Sequence, residues 1–204
     1  MPAMTSEDED RHRAKMAARK QVQDAEVASK AVAEKGLLMV HTGPGKGKTT
    51  AALGLVLRMA GRGRRCAVVQ FIKGAWDTGE RRLLERTELV EWHSMGEGFT
   101  WETQDRARDV AACRAAWERA VALMHAPGVA LLVLDELNIA LRYGYLEVDE
   151  VLAALAGRPA MLHVVVTGRN AKPALMEAAD LVTEFGAVKH HFAAGVRAQE
   201  GIEF

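Results

Sequence analysis

The chain has 204 residues, 49% of them hydrophobic and 26% charged, with 27 basic residues balanced by 27 acidic ones. Those proportions exclude general disorder, and the zero formal charge counts against a broadly basic nucleic-acid binder. No apolar run is long enough to span a membrane, Cys66 and Cys113 form no Cys-x-x-Cys pair, and the acidic opening at Glu7–Asp10 is unlike a secretory signal. The expectation is a cytoplasmic protein that engages neither membrane nor nucleic acid.

Residues 1–35 are rich in charge and alanine and poor in large apolar residues. They read as a polar N-terminal arm, partly helical or disordered, that buries little by itself. From Gly36 to residue 204 the pattern changes to one α/β domain. Short apolar runs at 36–42, 66–72, 89–93, 129–134, 161–167 and 181–185 read as strands. Helical stretches are expected near 49–60, 79–87, 103–125, 148–156 and 172–179. In 103–125, Val110, Cys113, Trp117, Val121 and Met124 recur at helical spacing, with charged residues such as Arg106, Arg114 and Glu118 between them. Continuous apolar strands alternating with helices predict a mostly parallel sheet covered by helices on both faces.

The most informative segment runs from His41 to Ala52, HTGPGKGKTTAA. It leaves an apolar strand and opens a helix, the setting a phosphate-binding loop requires. Its glycines let backbone N–H groups converge on an anion, and the helix adds the positive end of its dipole. Lys48 supplies a cation, and the Thr49 hydroxyl is suited to a magnesium ion that travels with phosphates. One departure is plain: the pattern G-x-x-x-x-G-K-[ST] would begin with glycine at position 42, where this chain has Thr42. The run Ala130–Leu134 ends in Asp135-Glu136, and an acidic residue there can hold Mg²⁺ directly or through water. The alternative is that Asp135 merely caps the next helix. Neither feature chooses the reaction. A small-molecule kinase, with Arg81, Arg82 or Arg86 recruited to a lid, and a non-catalytic nucleotide-dependent binding module stay open.

Further segments narrow the choice. They are Val69–Gly74 (VQFIKG), Gly98–Gln104 (GFTWETQ), Leu134–Asn138 (LDELN), Val188–Phe192 (VKHHF) and Ala194–Phe204 (AGVRAQEGIEF). With the loop variant, they closely resemble the phosphate-loop type of ATP:corrinoid adenosyltransferase, from about residue 10 onward. The resemblance implies a RecA-like P-loop NTPase fold and a homodimer. It implies transfer of the 5′-deoxyadenosyl group of ATP to the Co(I) of a reduced corrinoid, with release of triphosphate. By the same resemblance, Gly43, Pro44, Gly45, Lys46, Gly47, Lys48, Thr49 and Thr50 bind the nucleotide. Thr49 and Glu136 match magnesium ligands, with Asp135 beside them. Phe99 and Trp101 match an aromatic pair that crowds the lower face of the corrin, and with Lys48 they are the candidate catalytic residues. The electron donor is left open, with a reduced flavoprotein as one candidate. His41 and His163, within strand patterns, read as structural, His190-His191 as a surface or structural pair, and Arg169, just past a strand, as a candidate phosphate or corrinoid contact.

Overall fold

Strand and helix bounds follow closely from the residue pattern, and the sheet they build sets the site. A computed structural model describes residues 6–30, 35–72, 78–95 and 105–203 of the chain. Contacts divide the chain into two units, residues 1–34 and 35–204.

The first unit contains one helix, α1 (Ser6–Ser29). Alanine, lysine, arginine, glutamate and glutamine favour the helix, and Glu7, Asp8 and Glu9 in its first turn complement the dipole. Surface pairs three or four residues apart, Arg13 with Asp10 and Lys30 with Glu26, add little each. The helix buries none of its residues.

The second unit is a three-layer α/β structure. Its strands are β1 (Leu38–Thr42), β2 (Arg65–Gln70), β3 (Val90–Ser94), β4 (Val129–Asp135), β5 (His163–Thr167) and β6 (Leu181–Glu184). They form one sheet in the order β3-β2-β4-β5-β1-β6, and each of its pairings is parallel. Among the described residues the helices are α2 (Lys48–Ala60), α3 (Gly79–Glu85), α4 (Arg106–Met124), α5 (Leu137–Arg142), α6 (Val148–Ala156) and α7 (Pro173–Ala178).

Strand alternation sorts the core into two layers. Val40, Val69, Leu134 and Val166 pack with Trp117 of α4, Leu141 of α5, Leu155 of α6 and Leu175 of α7. Met39, Val68, Val133 and Val165 pack with Ala52 and Val56 of α2 and Leu84 of α3. This is the α/β parallel sheet expected from the sequence, with helices on both faces.

Three local differences have physical causes. Helix α5 has six residues, too short for periodicity to reveal. Met161 and Leu162 precede β5 in a turn closed by Leu162 N–H donating to the Pro159 carbonyl at 3.0 Å. Strand β6 lies at the sheet edge and is exposed throughout, although its apolar residues resemble those of the central strands. A short 3₁₀ turn, His191–Ala194, follows it. Among the described residues, no helix is long and apolar enough to cross a membrane.

Candidate functional site

The sheet order separates two strands that the sequence suggested would cooperate. Strand β1, which leads into the loop, and β4, which ends in the acidic pair, are not adjacent in the sheet, because β5 lies between them. Ligand sites of open α/β sheets collect at such carboxyl ends.

The loop leaves β1 at Thr42 and enters α2 at Lys48. Gly43 and Gly47 hold φ values of +96° and +104°, which L side chains rarely adopt. A Cβ on Gly43 would stand 2.6 Å from the Phe185 carbonyl oxygen, and one on Gly45 would stand 2.4 Å from that of Gly186. The loop therefore packs directly on the chain leaving β6. Gly45 N–H donates to the Phe185 carbonyl at 2.7 Å, and Phe185 N–H donates to the Thr42 carbonyl at 2.9 Å. The departure at Thr42 has a structural reason. Thr42 is the last residue of β1, pairs with Glu184 of β6, and its Oγ1 accepts from Ala171 N–H at 3.1 Å.

Lys48 is buried, with its Nζ donating to the carbonyls of Gly43 (2.9 Å) and Gly45 (2.5 Å). It closes the loop on itself as well as supplying charge. Pro44, Lys46 and Thr50 are exposed. Lys46 Nζ is paired with the Glu203 carboxylate near the C-terminus. His41 lies beneath the loop, its Nδ1 3.2 Å from the Lys48 carbonyl, and burial holds its pKa below the ordinary value.

Asp135 ends β4 and is completely buried. Its Oδ1 accepts from Thr49 Oγ1 at 2.8 Å and from Thr167 Oγ1 at 2.7 Å, and its Oδ2 accepts from Gln70 Nε2 at 3.0 Å. Gln70 Oε1 in turn accepts from Ser94 Oγ (2.8 Å) and Trp92 Nε1 (3.2 Å). A hydrogen-bonded row thus crosses the carboxyl ends of β3, β2, β4 and β5 and ends on the helix that opens from the loop. Asp135 does not cap α5; Glu136 occupies that position. Glu136 adopts φ +62°, and its N–H donates to Thr167 Oγ1 at 3.0 Å. A Cβ on Gly168 would stand 2.9 Å from Asn138 Cβ and 3.0 Å from Glu136 Oε2, so only glycine fits beside this turn.

Sequence reasoning found the loop and the Asp135-Glu136 pair but missed Gln70, Thr167 and Gly168. A signal was present: Gln70 and Thr167 are the polar last residues of strands whose middles are unbroken apolar runs, Cys66–Val69 and Val164–Val166. Phe99 and Trp101 lie outside the described residues. The four histidines singled out from the sequence all have identifiable anchors: His41 as above, His163 through Leu37 N–H at 3.1 Å, His190 through Phe192 N–H at 3.1 Å, and His191 through Glu203 at 2.6 Å. Arg169 is exposed. Burial pushes the thiols of Cys66 and Cys113 up to about 11 and about 12, so neither is a ready nucleophile.

The oxygen donors brought together are a hydroxyl and carboxylates, the hard set that suits Mg²⁺, which needs only one or two carboxylates when phosphates complete its shell. Asp135 Oδ1, already receiving two hydroxyl protons, is better placed to orient the Thr49 hydroxyl than to act as the sole direct ligand.

The sequence pattern of the family described as ATP:corrinoid adenosyltransferase BtuR/CobO/CobP matches residues 34–204. A second pattern, cob(I)alamin adenosyltransferase N terminal, matches residues 3–27. A corrinoid adenosyltransferase of Pseudomonas aeruginosa is 56% identical over 97% of this chain and 98% of its own. One from a Sinorhizobium species is 51% identical over 99% of this chain and 95% of its own. The corrinoid adenosyltransferase CobA of Salmonella typhimurium is 48% identical over 89% and 91%, respectively.

Proposed function

The chain belongs to the ATP:corrinoid adenosyltransferase family, and on that premise we propose how its residues carry the reaction. The protein is an enzyme that transfers the 5′-deoxyadenosyl group of ATP to the Co(I) centre of a reduced corrinoid. A cobalt–carbon bond forms to C5′, the C5′–O bond breaks, and its electron pair leaves with triphosphate. The kinase and carrier alternatives find no support among the relatives.

Such a reaction asks the protein for binding and orientation, because Co(I) is itself the nucleophile. The observation that carries the reading is the Thr49–Asp135 hydrogen bond, which joins the phosphate loop to the buried acidic end of β4. Backbone N–H groups of the loop, the N-terminal end of α2, Lys48 and Lys46 would hold the triphosphate, on which negative charge grows as C5′–O breaks. Gly43, Gly45 and Gly47 would let that backbone approach, with Pro44 and Thr50 at the rim. Thr49 and Glu136 would hold Mg²⁺, with Asp135 fixing the Thr49 hydroxyl; the ion supplies charge neutralisation to the leaving group. Holding C5′ in line with cobalt is worth roughly 7–11 kcal/mol of barrier when alignment is close. Phe99 and Trp101 would press on the lower face of the corrin and expel its axial base, which eases reduction of Co(II).

Incubation with ATP, Mg²⁺ and chemically reduced corrinoid tests the reaction directly. The expected products are a light-sensitive alkylcobalt corrinoid and triphosphate. ADP or pyrophosphate without that corrinoid overturns the reading. Replacing Phe99 and Trp101 with alanine is expected to slow the Co(II)-dependent assay more than one supplied with preformed Co(I); equal losses in both point to packing.

The same premise extends to a cytoplasmic homodimer fed by a reduced flavoprotein. A sedimentation mass of one chain removes the dimer. Failure of any reduced flavoprotein to replace a chemical reductant removes the donor.

A further inference from the structure

Lys46 and Lys48 lie two positions apart and meet opposite surroundings. Lys48 is buried against loop carbonyls. The Lys46 side chain is half exposed and paired with the Glu203 carboxylate, which also meets His191 Nε2 at 2.6 Å. Lys46 beside it holds the Glu203 carboxyl below its usual range, so the group is charged at neutral pH.

The segment that delivers Glu203 has little else to hold it. Of residues 186–203, only His190, His191 and Glu203 are partly covered, and none is buried. Val188, Phe192 and Ile202 stand in solvent. Glu203 is presented by a turn in which the N–H groups of Ile202 and Glu203 donate to the Gln199 carbonyl at 3.1 and 3.0 Å. Gly201, at φ +75°, permits that turn. The C-terminal segment is thus a formed arm tethered mainly by one carboxylate, and the tether ends on a lysine of the phosphate loop.

We infer that Glu203 is a latch on the phosphate loop: its carboxylate competes with polyphosphate for Lys46, releasing the C-terminal segment when phosphate binds and helping expel triphosphate when it re-forms the pair. The inference rests on the assignment of this loop to polyphosphate. The competition is electrostatic, since a carboxylate within ion-pair distance of Lys46 repels the highly charged anion that needs the same ammonium. Exposed ion pairs are weak, so the latch opens without a large barrier.

The probe is inorganic triphosphate, titrated calorimetrically into the full chain. Glu203→Gln, which keeps the shape but not the charge, is expected to bind it about threefold more tightly, the scale of one exposed ion pair. That gain is expected to disappear in a Lys46→Met background. Hydrogen exchange at Ile202 and Glu203 is expected to quicken when triphosphate is added to the wild type, and to be quick already in Glu203→Gln. Normal binding by the wild type with unchanged or weaker binding by Glu203→Gln overturns the latch and leaves the loop assignment standing. Binding absent from the wild type, or undiminished in Lys48→Ala, overturns the loop assignment and the latch with it.

Discussion

The two ends of the parallel sheet are both polar, yet they use polarity differently. At the amino end, Arg158 donates to the carbonyls of Leu155 (2.6 Å), Leu162 (3.3 Å) and Gly36 (3.0 Å), and Asp180 accepts from Leu38 N–H at 2.9 Å while pairing with Lys35. Each contact satisfies a strand entry or a helix end, so the groups cancel locally. At the carboxyl end, Asp135 gathers three side-chain donors, Lys48 is folded over loop carbonyls, and Gly43, Gly47, Glu136 and Gly168 take positive φ. Positive φ occurs at the amino end as well, at Gly63, Glu88 and Gly128, so the contrast lies in the buried charge: Asp135 and Lys48 gather it at the carboxyl end, where the nucleotide is proposed to bind, and the opposite end keeps the fold together.

Mutations can separate these roles. The largest effect is expected from Lys48→Ala, which should lower kcat/KM for ATP by about 100-fold or more, as for loss of one preorganised charge donor. Because Lys48 also closes the loop, a stability loss of about 1 kcal/mol should accompany it, measured by urea unfolding. Arg158→Ala is the counterpart: it should cost about 2 kcal/mol of stability and leave kcat per folded molecule unchanged. If Arg158→Ala instead impaired turnover without destabilising the chain, the contrast between the two ends would collapse.

Thr167→Val tests the carboxyl end more finely. It removes the hydroxyl that donates to Asp135 and accepts from Glu136 N–H, with little change of volume. Activity should fall by about tenfold, with a stability cost of about 1 kcal/mol. The shift of His41 gives a smaller, pH-dependent effect. Burial lowers its folded pKa, so below the ordinary value of 6.5 the unfolded chain takes up a proton that the folded chain refuses. Stability should therefore decline as pH falls from 6.5 toward the lower folded value, and His41→Gln should flatten that part of the profile. Asp180 and Glu91, whose folded values are also lowered, lose their contributions at still lower pH, beneath their ordinary 3.8 and 4.5. The smallest effect is an expected silence: Cys66 and Cys113 should not react with a thiol reagent at neutral pH until the chain unfolds.

The residue pattern carried far toward the fold. Central strands were legible because burial on both faces makes them continuously apolar, and α4 was legible because nineteen residues give its periodicity room to repeat. The six residues of α5 do not. Strand β6 was found by its apolar residues, but its exposure was not, because the sequence of a strand does not state its place in a sheet.

The site divides along the same line. The glycines, Lys48, Thr49 and the Asp135-Glu136 pair stand out in the sequence itself, because the pattern that suggests phosphate chemistry is made of residues next to one another in the chain. Gln70, Thr167 and Gly168 could not, since each acquires its role from a neighbour brought by sheet order: Gln70 across β2–β4, Thr167 and Gly168 from the strand between β4 and β1. The Lys46–Glu203 pair belongs with them, joining residues far apart in the chain. Local chemistry was thus determined by the sequence alone. Which distant polar groups share a carboxylate or a lysine was decided only by tertiary structure, because hydrogen bonds and ion pairs depend on distance in space and not on separation along the chain.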